Sequence, residues 1–217
     1  MSNNLTKQAI AEFIGTFTLV FVGAAAVASA QGVLVAAFAH GLVIVGIAYT
    51  LGHISGAHLN PAVTLGLLVG RHISPPKAAI YWITQFAAAI VAALILSIIL
   101  GSNANLGETT GSLTAGSIGS AMLFEAIFTF FLVSAVYQCA VFGKAGNLAG
   151  LAIGLTLTFS ILAGGTYTGA SLNPARTLGP ALVAGHLDYL IPYLVAIFAG
   201  GAIAGALHQY GIGDVKT

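Results

Sequence analysis

Two short segments combine asparagine with proline in a way that can hold amide groups ready for a polar molecule. They are Asn60-Pro61-Ala62 and Asn173-Pro174-Ala175. Asparagine is a favoured helix cap and proline fits the first helical position, so each segment predicts the start of a helix. A capping asparagine turns its oxygen toward the helix and keeps an NH₂ group as a donor. The two segments together predict paired donors backed by positive helix ends, which repel cations and suit a water oxygen.

These segments belong to an internal repeat of the chain. At an offset of 113 residues and without gaps, residues 56–66 match residues 169–179 at nine of eleven positions. The same offset places Glu12 on Glu125. A single Asn-Pro-Ala would most simply be an ordinary junction between a loop and a helix, whereas a duplicated one favours a functional pair.

Arg176 marks a position where the repeat breaks, because its counterpart in the first copy is Val63. An arginine in the first turn of a helix opposes the helix dipole, so local preference does not explain its presence. One interpretation is a long side chain that extends its guanidinium group to the membrane interface. The break in the repeat favours the other interpretation, a task for Arg176 that folding alone does not require.

Glu12 and Glu125 lie within apolar segments of the chain. A carboxylate in a membrane span costs about 2.5–3.5 kcal/mol, so it is expected to face the interior with a partner. A charge near a helix end that extends to the interface is the alternative. Their equivalence in the repeat favours a structural role, and a proton relay is disfavoured because the spans contain no other acidic residue.

The remaining histidines do not form a metal-ligand pattern. They are His53, His58, His72, His186 and His208, besides His40. His53 and His58 are five positions apart without a Glu-x-x-His arrangement, and no thiol or carboxylate lies near them in sequence. We therefore predict neither a metal site nor a cofactor. The polar residues of the apolar segments also lack a nucleophile with an aligned base, so the sequence does not predict an enzyme.

The elements that carry these residues must cross a membrane. Of 217 residues, 58% are apolar and 5% are charged, and the mean hydropathy is +1.01. A soluble domain has about 25% charged residues, so this chain is not built for water. Its six Lys and Arg are scattered and its net charge is +1, which excludes a nucleic-acid partner. The length leaves no room for a separate soluble domain, and residues 1–217 are predicted to form a single domain.

Apolar runs long enough to cross a bilayer predict six transmembrane helices. They cover about residues 9–30, 33–52, 78–100, 119–142, 148–164 and 188–209. Two shorter runs, 61–70 and 174–184, follow the Asn-Pro pairs and are too short to cross, so they predict re-entrant half-helices or interfacial segments. Each half of the chain, about 1–105 and 118–217, holds an odd number of spans, so the second copy is inverted relative to the first. The two Asn-Pro-Ala segments then meet near the membrane midplane.

The distribution of basic residues predicts the orientation. With six spans both termini share one side, which collects the residues Lys7, Arg71, Lys77, Lys144 and Lys216. The opposite loops hold Glu108, Asp188 and one basic residue, Arg176. Both termini are therefore predicted to be cytoplasmic in a multi-pass protein of the cell membrane, plasma or inner. A cleaved signal peptide ending near Ala28-Ser29-Ala30 is the alternative for the first span, and Glu12 argues against it.

The duplicated Asn-Pro-Ala is accompanied by Ser55-Gly56-Ala57-His58 before the first copy, by Thr168-Gly169-Ala170 before the second, and by Arg176 after it. With the spans of Glu12 and Glu125, this pattern resembles the aquaporin family (major intrinsic proteins) over essentially the whole chain. The resemblance implies an all-α membrane fold of six transmembrane helices plus two re-entrant half-helices in an inverted repeat. It also implies a pore through each subunit, a homotetramer, and glutamates that accept hydrogen bonds from the Asn-Pro-Ala loops.

In this family the resemblance places Arg176 in the narrowest constriction of the pore, together with His40, Ile161 and Ala170. From the sequence alone, His40 would more simply be a hydrogen-bonded core histidine. The set departs from the strict water-channel pattern, which has phenylalanine and histidine at its first two positions. It looks like that of the plant tonoplast intrinsic proteins. A wider constriction with one apolar wall would admit ammonia, urea or glycerol beside water.

The sequence and the resemblance together predict a passive transmembrane channel for water, with ammonia, urea or glycerol as further solutes, that excludes protons and ions. The alternative is a broad facilitator of small neutral solutes in which water is secondary. An ion-coupled transporter is a third possibility, because inverted repeats and broken helices also build carriers, but it needs acidic residues at a midplane site. The expected partners are water, small neutral solutes, the lipid bilayer and identical subunits.

Overall fold

The structure is a computed structural model that describes residues 3–101 and 105–213. Within these ranges the chain is helical and has no strand. Lys216, which belongs to the predicted cytoplasmic set of basic residues, lies outside the described residues. So do residues 1–2, 102–104 and 214–217 of the two predicted repeat halves.

Nine α-helices follow one another in the described ranges. They are α1 (Asn3–Ala28), α2 (Val33–Ser55), α3 (Pro61–Val69), α4 (Pro75–Leu100), α5 (Ser112–Gly116), α6 (Ile118–Ala135), α7 (Ala149–Thr168), α8 (Pro174–Ala184) and α9 (Leu190–Ala206). A π-helical turn at Val136–Val141 extends α6, another at Leu207–Gly211 extends α9, and a 3₁₀ turn at Gly146–Leu148 precedes α7.

Six of these helices, with the turns that extend them, are long and apolar enough to cross a membrane, as the sequence predicts. The boundaries differ from the predicted ones at several ends. For example, α1 begins at Asn3, ahead of the predicted start at residue 9. Hydropathy marks only the part of a helix that suits lipid, and polar residues extend the same helix beyond it.

The half-helices α3 and α8 contain 9 and 11 residues, which is too short to cross a bilayer. Both start as their capping residues predict. The side-chain oxygen of Asn60 accepts a hydrogen bond from the Ala62 N–H at 2.8 Å. The oxygen of Asn173 accepts from the N–H groups of Ala175 and Arg176 at 3.0 and 3.3 Å. Each half-helix therefore has its positive end at the centre of the bundle.

Glycines allow several helices to approach closely. A Cβ atom on Gly154 of α7 would lie 2.6 Å from the carbonyl oxygen of Gly41 in α2. Between α9 and α3, a Cβ on Gly205 would lie 2.4 Å from the carbonyl oxygen of Gly66. Such distances exclude any side chain, so backbone contact between helices positions the half-helices in the bundle.

The two ends of the bundle carry different side chains. At one end, His72 Nε2 contacts Gln209 Oε1 at 2.7 Å and links the loop after α3, which contains Arg71, to the end of α9. At the other end, His186 contacts the carboxylate of Glu108. The basic loops and the acidic loops thus lie at opposite ends.

Candidate functional site

The asparagines at the starts of α3 and α8 bond to each other's loops at the centre of the protein. Asn60 Nδ2 donates to the Leu172 carbonyl at 2.7 Å, and Asn173 Nδ2 donates to the Leu59 carbonyl at 2.9 Å. Each NH₂ group therefore uses one N–H to join the halves and keeps one for the neighbouring cavity. Sequence reasoning placed the two amides together but did not foresee these reciprocal bonds.

The loops before α3 and α8 contain residues in the left-handed backbone conformation, which residues with a side chain adopt rarely. The φ angles are 47° and 52° at Ala57 and Leu59, and 42° and 54° at Ala170 and Leu172. A left-handed conformation costs a residue with a side chain about 1–2 kcal/mol, so bonds from the surrounding helices must hold it. This backbone directs the carbonyl groups of Leu59 and Leu172 to the facing asparagines.

Glu12 of α1 holds the first of these loops. Its carboxylate is completely buried and accepts the His58 and Leu59 N–H groups at 2.9 and 2.8 Å. It also accepts the Ser55 hydroxyl at 2.7 Å and the Gln85 amide at 2.9 Å. Four donors around one carboxylate compensate for its removal from water.

Glu125 of α6 has the same relation to the second loop. It is completely buried and accepts the N–H groups of Ser171 and Leu172 at 3.0 and 2.9 Å. The Thr168 hydroxyl donates to it at 2.8 Å, at the repeat position that corresponds to Ser55. The contacts that the family resemblance implies for the two glutamates are present in both halves.

Two cavities follow one another along the bundle axis. The inner one has a volume of about 440 Å³ and extends from Asn147, at the basic end, to Asn173 at the centre. The outer one has a volume of about 220 Å³ and reaches Glu108 at the other end. His40 and Arg176 line both cavities and therefore stand at their boundary. Apolar side chains line much of the inner cavity, among them Leu19, Ile44, Leu132, Ile153 and Leu157.

A hydrogen bond joins the two boundary residues. Arg176 Nε donates to His40 Nε2 at 3.0 Å, and His40 Nδ1 lies 2.7 Å from the Ala36 carbonyl oxygen. A carbonyl only accepts, so Nδ1 carries the proton and Nε2 of the neutral ring receives the arginine. Arg176 is 2% exposed, and its Nη1 has no partner among the described residues. Nη1 is itself buried, so it is a donor at the boundary whose hydrogen bond no described residue satisfies.

The other two predicted constriction residues differ in position. Ile161 lines the outer cavity beside His40 and Arg176. Ala170 is 2% exposed and lines neither cavity, whereas its neighbour Gly169 lines the outer one. The structure thus brings three of the four predicted side chains to the cavities, and Ala170 is not among the lining residues. Their roles in selecting a solute remain predictions.

Sequence reasoning missed several residues of the site. Glu108 and Thr110 line the outer cavity, although their loop was interpreted only as a connection. His58 lines the inner cavity, although the motif that contains it assigned it no role and its spacing only argued against a metal site. One signal could have found His58, because its repeat counterpart is Ser171 and this is the other mismatch besides Arg176.

The arrangement favours contact with neutral molecules that accept hydrogen bonds. Asn60 and Asn173 each have one amide N–H that is not used between the two loops. Arg176, which lines both cavities, adds further N–H donors and a positive charge. The positive ends of α3 and α8 face the same region. Oxygen lone pairs suit these donors, whereas a cation meets like charge and loses its hydration between apolar walls.

The comparison with known proteins agrees with this geometry. The family model described as "Major intrinsic protein" matches residues 1–208. Aquaporin TIP1-2 of Zea mays is 41% identical over 218 residues, which cover 94% of this chain and 85% of the relative. Aquaporin TIP4-1 of Arabidopsis thaliana is also 41% identical, over 215 residues with the same coverage. Aquaporin NIP1-4 of Oryza sativa subsp. japonica is 37% identical over 212 residues, covering 95% and 77%.

A solved structure shares the fold. The X-ray structure of the aquaglyceroporin from Plasmodium falciparum superimposes with a TM-score of 0.84 at 25% sequence identity. The match covers 96% of this chain and 97% of that one. The match therefore extends over the half-helices as well as the six long helices.

Proposed function

The chain belongs to the major intrinsic protein family, whose members are channels rather than enzymes, and we propose that it conducts water passively through the two cavities. The observation that carries this proposal is the boundary between them. There Arg176 and His40 face the path next to the paired amides of Asn60 and Asn173. Water passes these donors by exchanging hydrogen bonds and needs no conformational change of the protein.

Exclusion of ions and protons follows from the same groups. A cation entering the boundary would face the guanidinium charge of Arg176 and the positive ends of two half-helices. The inner cavity offers it few oxygen ligands, since much of its wall is apolar. Coulomb repulsion at low dielectric is strong enough to oppose entry of even one charge.

A broader solute range is the second candidate function. His40 stands where strict water channels resemble one another in having phenylalanine, and Ile161 places an apolar side chain on the outer cavity. Both features favour ammonia, urea or glycerol beside water. Thr177 and Ala181 stand where glycerol facilitators have an acid and a base, which favours water as the main solute.

An ion-coupled carrier is the less favoured reading of the same fold. Such a carrier needs acidic side chains that are available to an ion near the midplane. The buried carboxylates of Glu12 and Glu125 instead accept hydrogen bonds from the loops that carry the half-helices. Their oxygens are engaged in holding the pore.

The protein is a multi-pass membrane protein. We further propose a location in the cell membrane with cytoplasmic termini. The basic loops at one end of the bundle support this orientation. A single domain made of two inverted halves and a homotetrameric assembly follow from the repeat and the family resemblance. Reporter fusions at either end test the orientation, and light scattering of the purified protein tests the assembly.

Reconstitution in liposomes tests the function. Under an impermeant osmolyte, we expect fast shrinkage compared with protein-free liposomes, and a proton-sensitive dye inside should report no added proton leak. Swelling with glycerol, urea and ammonia gradients then measures the solute range. Shrinkage that is no faster than in protein-free liposomes would contradict a water channel, and dependence on an ion gradient would indicate a carrier.

A matched pair of variants locates the path. Ile153→Trp places a large side chain in the inner cavity and should abolish most of the flux. Leu155→Trp changes the same helix at a side chain that is 49% exposed on the outer surface, and it should conduct like the unmodified protein. Equal flux through both variants would show that water does not pass through this cavity.

A further inference from the structure

A chain of polar side chains that exists only in the first half of the repeat reaches the inner cavity. Gln85 of α4 donates through Nε2 to Glu12 Oε2 at 2.9 Å and to Thr64 Oγ1 at 3.1 Å. Thr64 Oγ1 lies 3.0 Å from His58 Nδ1. The His58 ring lines the inner cavity.

The direction of each bond in this chain follows from Glu12. A carboxylate that takes four donors acts only as an acceptor, so the amide of Gln85 must present its NH₂ group to it. A flipped amide would place its oxygen against a carboxylate oxygen. The unflipped amide leaves Gln85 Oε1 buried without a partner among the described residues, which shows that Glu12 dictates the orientation.

The Thr64 hydroxyl transmits this direction to His58. It accepts from Gln85, so its own proton needs an acceptor. Within residues 3–101 and 105–213, the one other hydrogen-bonding partner of this hydroxyl is His58 Nδ1. The hydroxyl therefore donates to Nδ1, and the proton of the neutral ring is on Nε2.

The second half of the repeat has no such chain. The counterparts of His58 and Gln85 at the offset of 113 residues are Ser171 and Phe198. Thr177, which corresponds to Thr64, lies 2.6 Å from the Ser171 hydroxyl and also reaches the Asn173 carbonyl at 3.3 Å. The Thr177 proton has a backbone acceptor. The second half has no histidine at the position of His58, so no tautomer is selected there.

We propose that Gln85 is a positioning residue which, through Thr64, holds His58 as the neutral Nε2–H tautomer with that N–H available to the inner cavity. Nε2 has no protein partner among the described residues, and Gly56, which lines the same cavity, lies beside it. The inference rests on the proposed function. It adds a donor on the inner side of the asparagine pair, and a ring that already carries its proton on Nε2 cannot take one from the lumen at that atom.

Solid-state NMR of the full chain in lipid bilayers, with ¹⁵N-labelled histidine, tests this assignment. Protonated and unprotonated ring nitrogens have well-separated ¹⁵N shifts, and the signal missing from His58→Gln identifies the residue. We expect one tautomer in the unmodified protein, with the proton on Nε2. In Gln85→Met and Thr64→Val, we expect the Nδ1–H form to rise from undetected to a comparable share. Thr177→Val, the same change in the other half, should leave the His58 signal unchanged.

Each other outcome overturns the proposal. A proton on Nδ1 in the unmodified protein contradicts the bond direction, and an unchanged signal in both variants contradicts the role of Gln85. Thr64→Val is nearly isosteric, so it keeps the test valid where Gln85→Met fails to fold. The spectra do not depend on transport. The expected tautomer in a protein without water flux would therefore overturn the proposed function and leave the assignment of His58 intact.

Discussion

Arg176 Nε donates to His40 Nε2 across 3.0 Å and thereby joins α8 to α2 at the boundary between the two cavities. The two residues are 136 positions apart in sequence. The bond holds the guanidinium plane by one edge and leaves Nη1 without a protein partner among the described residues. The histidine thus fixes the orientation of the guanidinium group at the boundary.

Replacement of Arg176 should weaken selection at the boundary. Arg176→Val removes the charge and the donors, so we expect glycerol and urea to enter about tenfold faster, which corresponds to a barrier lower by about 1.4 kcal/mol. A measurable cation leak should accompany this change. Arg176→Lys is the control, because it keeps the charge and loses the Nε bond to His40. Liposome swelling measures solute entry, and a sodium-sensitive dye measures the cation leak. Unchanged selectivity in Arg176→Val would place the constriction elsewhere.

Replacement of His40 should narrow the range of solutes. His40→Phe fills the same site with a larger apolar ring. The site is tightly packed, since a Cβ atom on Gly23 would lie only 2.2 Å from the imidazole of His40. We expect glycerol and urea flux to fall several-fold relative to water flux, because the larger ring reduces the free cross-section. Parallel shrinkage and swelling assays give the ratio. A ratio that stays constant would show that His40 does not limit solute size.

The loop-holding carboxylates should be essential for stability. Glu12→Gln turns one acceptor into a donor that faces the N–H groups of His58 or Leu59, and Glu125→Gln does the same in the second loop. A buried donor without a partner costs about 1–3 kcal/mol, so both variants should unfold at clearly lower temperature.

Glu108→Gln is the control for these two variants. The Glu108 side chain is 12% exposed and its carboxylate contacts the side chain of His186, which is 72% exposed. A pair with one partner in water contributes about 0–1 kcal/mol. Thermal unfolding in detergent compares the three proteins. A midpoint in Glu12→Gln and Glu125→Gln no lower than in Glu108→Gln would contradict the holding role.

Close helix packing gives a second prediction about stability. A Cβ on Gly200 of α9 would lie 2.2 Å from the Ala126 carbonyl oxygen of α6, so Gly200→Ala should destabilise the protein by about 1–3 kcal/mol. Gly46→Ala is the matched control, because no atom lies within 4 Å of its Cβ position. Alanine there should be neutral or slightly stabilising, since it favours the helix. Equal midpoints of thermal unfolding would mean that α6 and α9 separate easily.

Much of the fold follows from local properties of the chain. The long apolar runs predict the spans because a membrane helix must satisfy its own backbone and face lipid. Asn60 and Asn173 predict the starts of α3 and α8 because a cap depends on neighbouring residues only. The start of α1 was less predictable, since hydropathy does not show where a helix ends in water.

The site was predictable only in part. The repeat and the family resemblance pointed to Arg176, His40 and Ile161, which the structure brings to the cavities. They also pointed to Ala170, which is buried and is not among the residues that line either cavity. His58 was missed because spacing in sequence does not show which side of a loop faces a cavity.

The sequence by itself determined the class of molecule: spans, an inverted repeat, capped half-helices and one arginine that departs from the repeat. These are properties of composition and of neighbours along the chain. Only the tertiary structure decided that each asparagine bonds to the opposite loop, that His40 accepts from Arg176 and that Gln85 reaches His58 through Thr64. Most of these bonds join distant parts of the chain, so their existence depends on how the helices pack, which local preference does not encode.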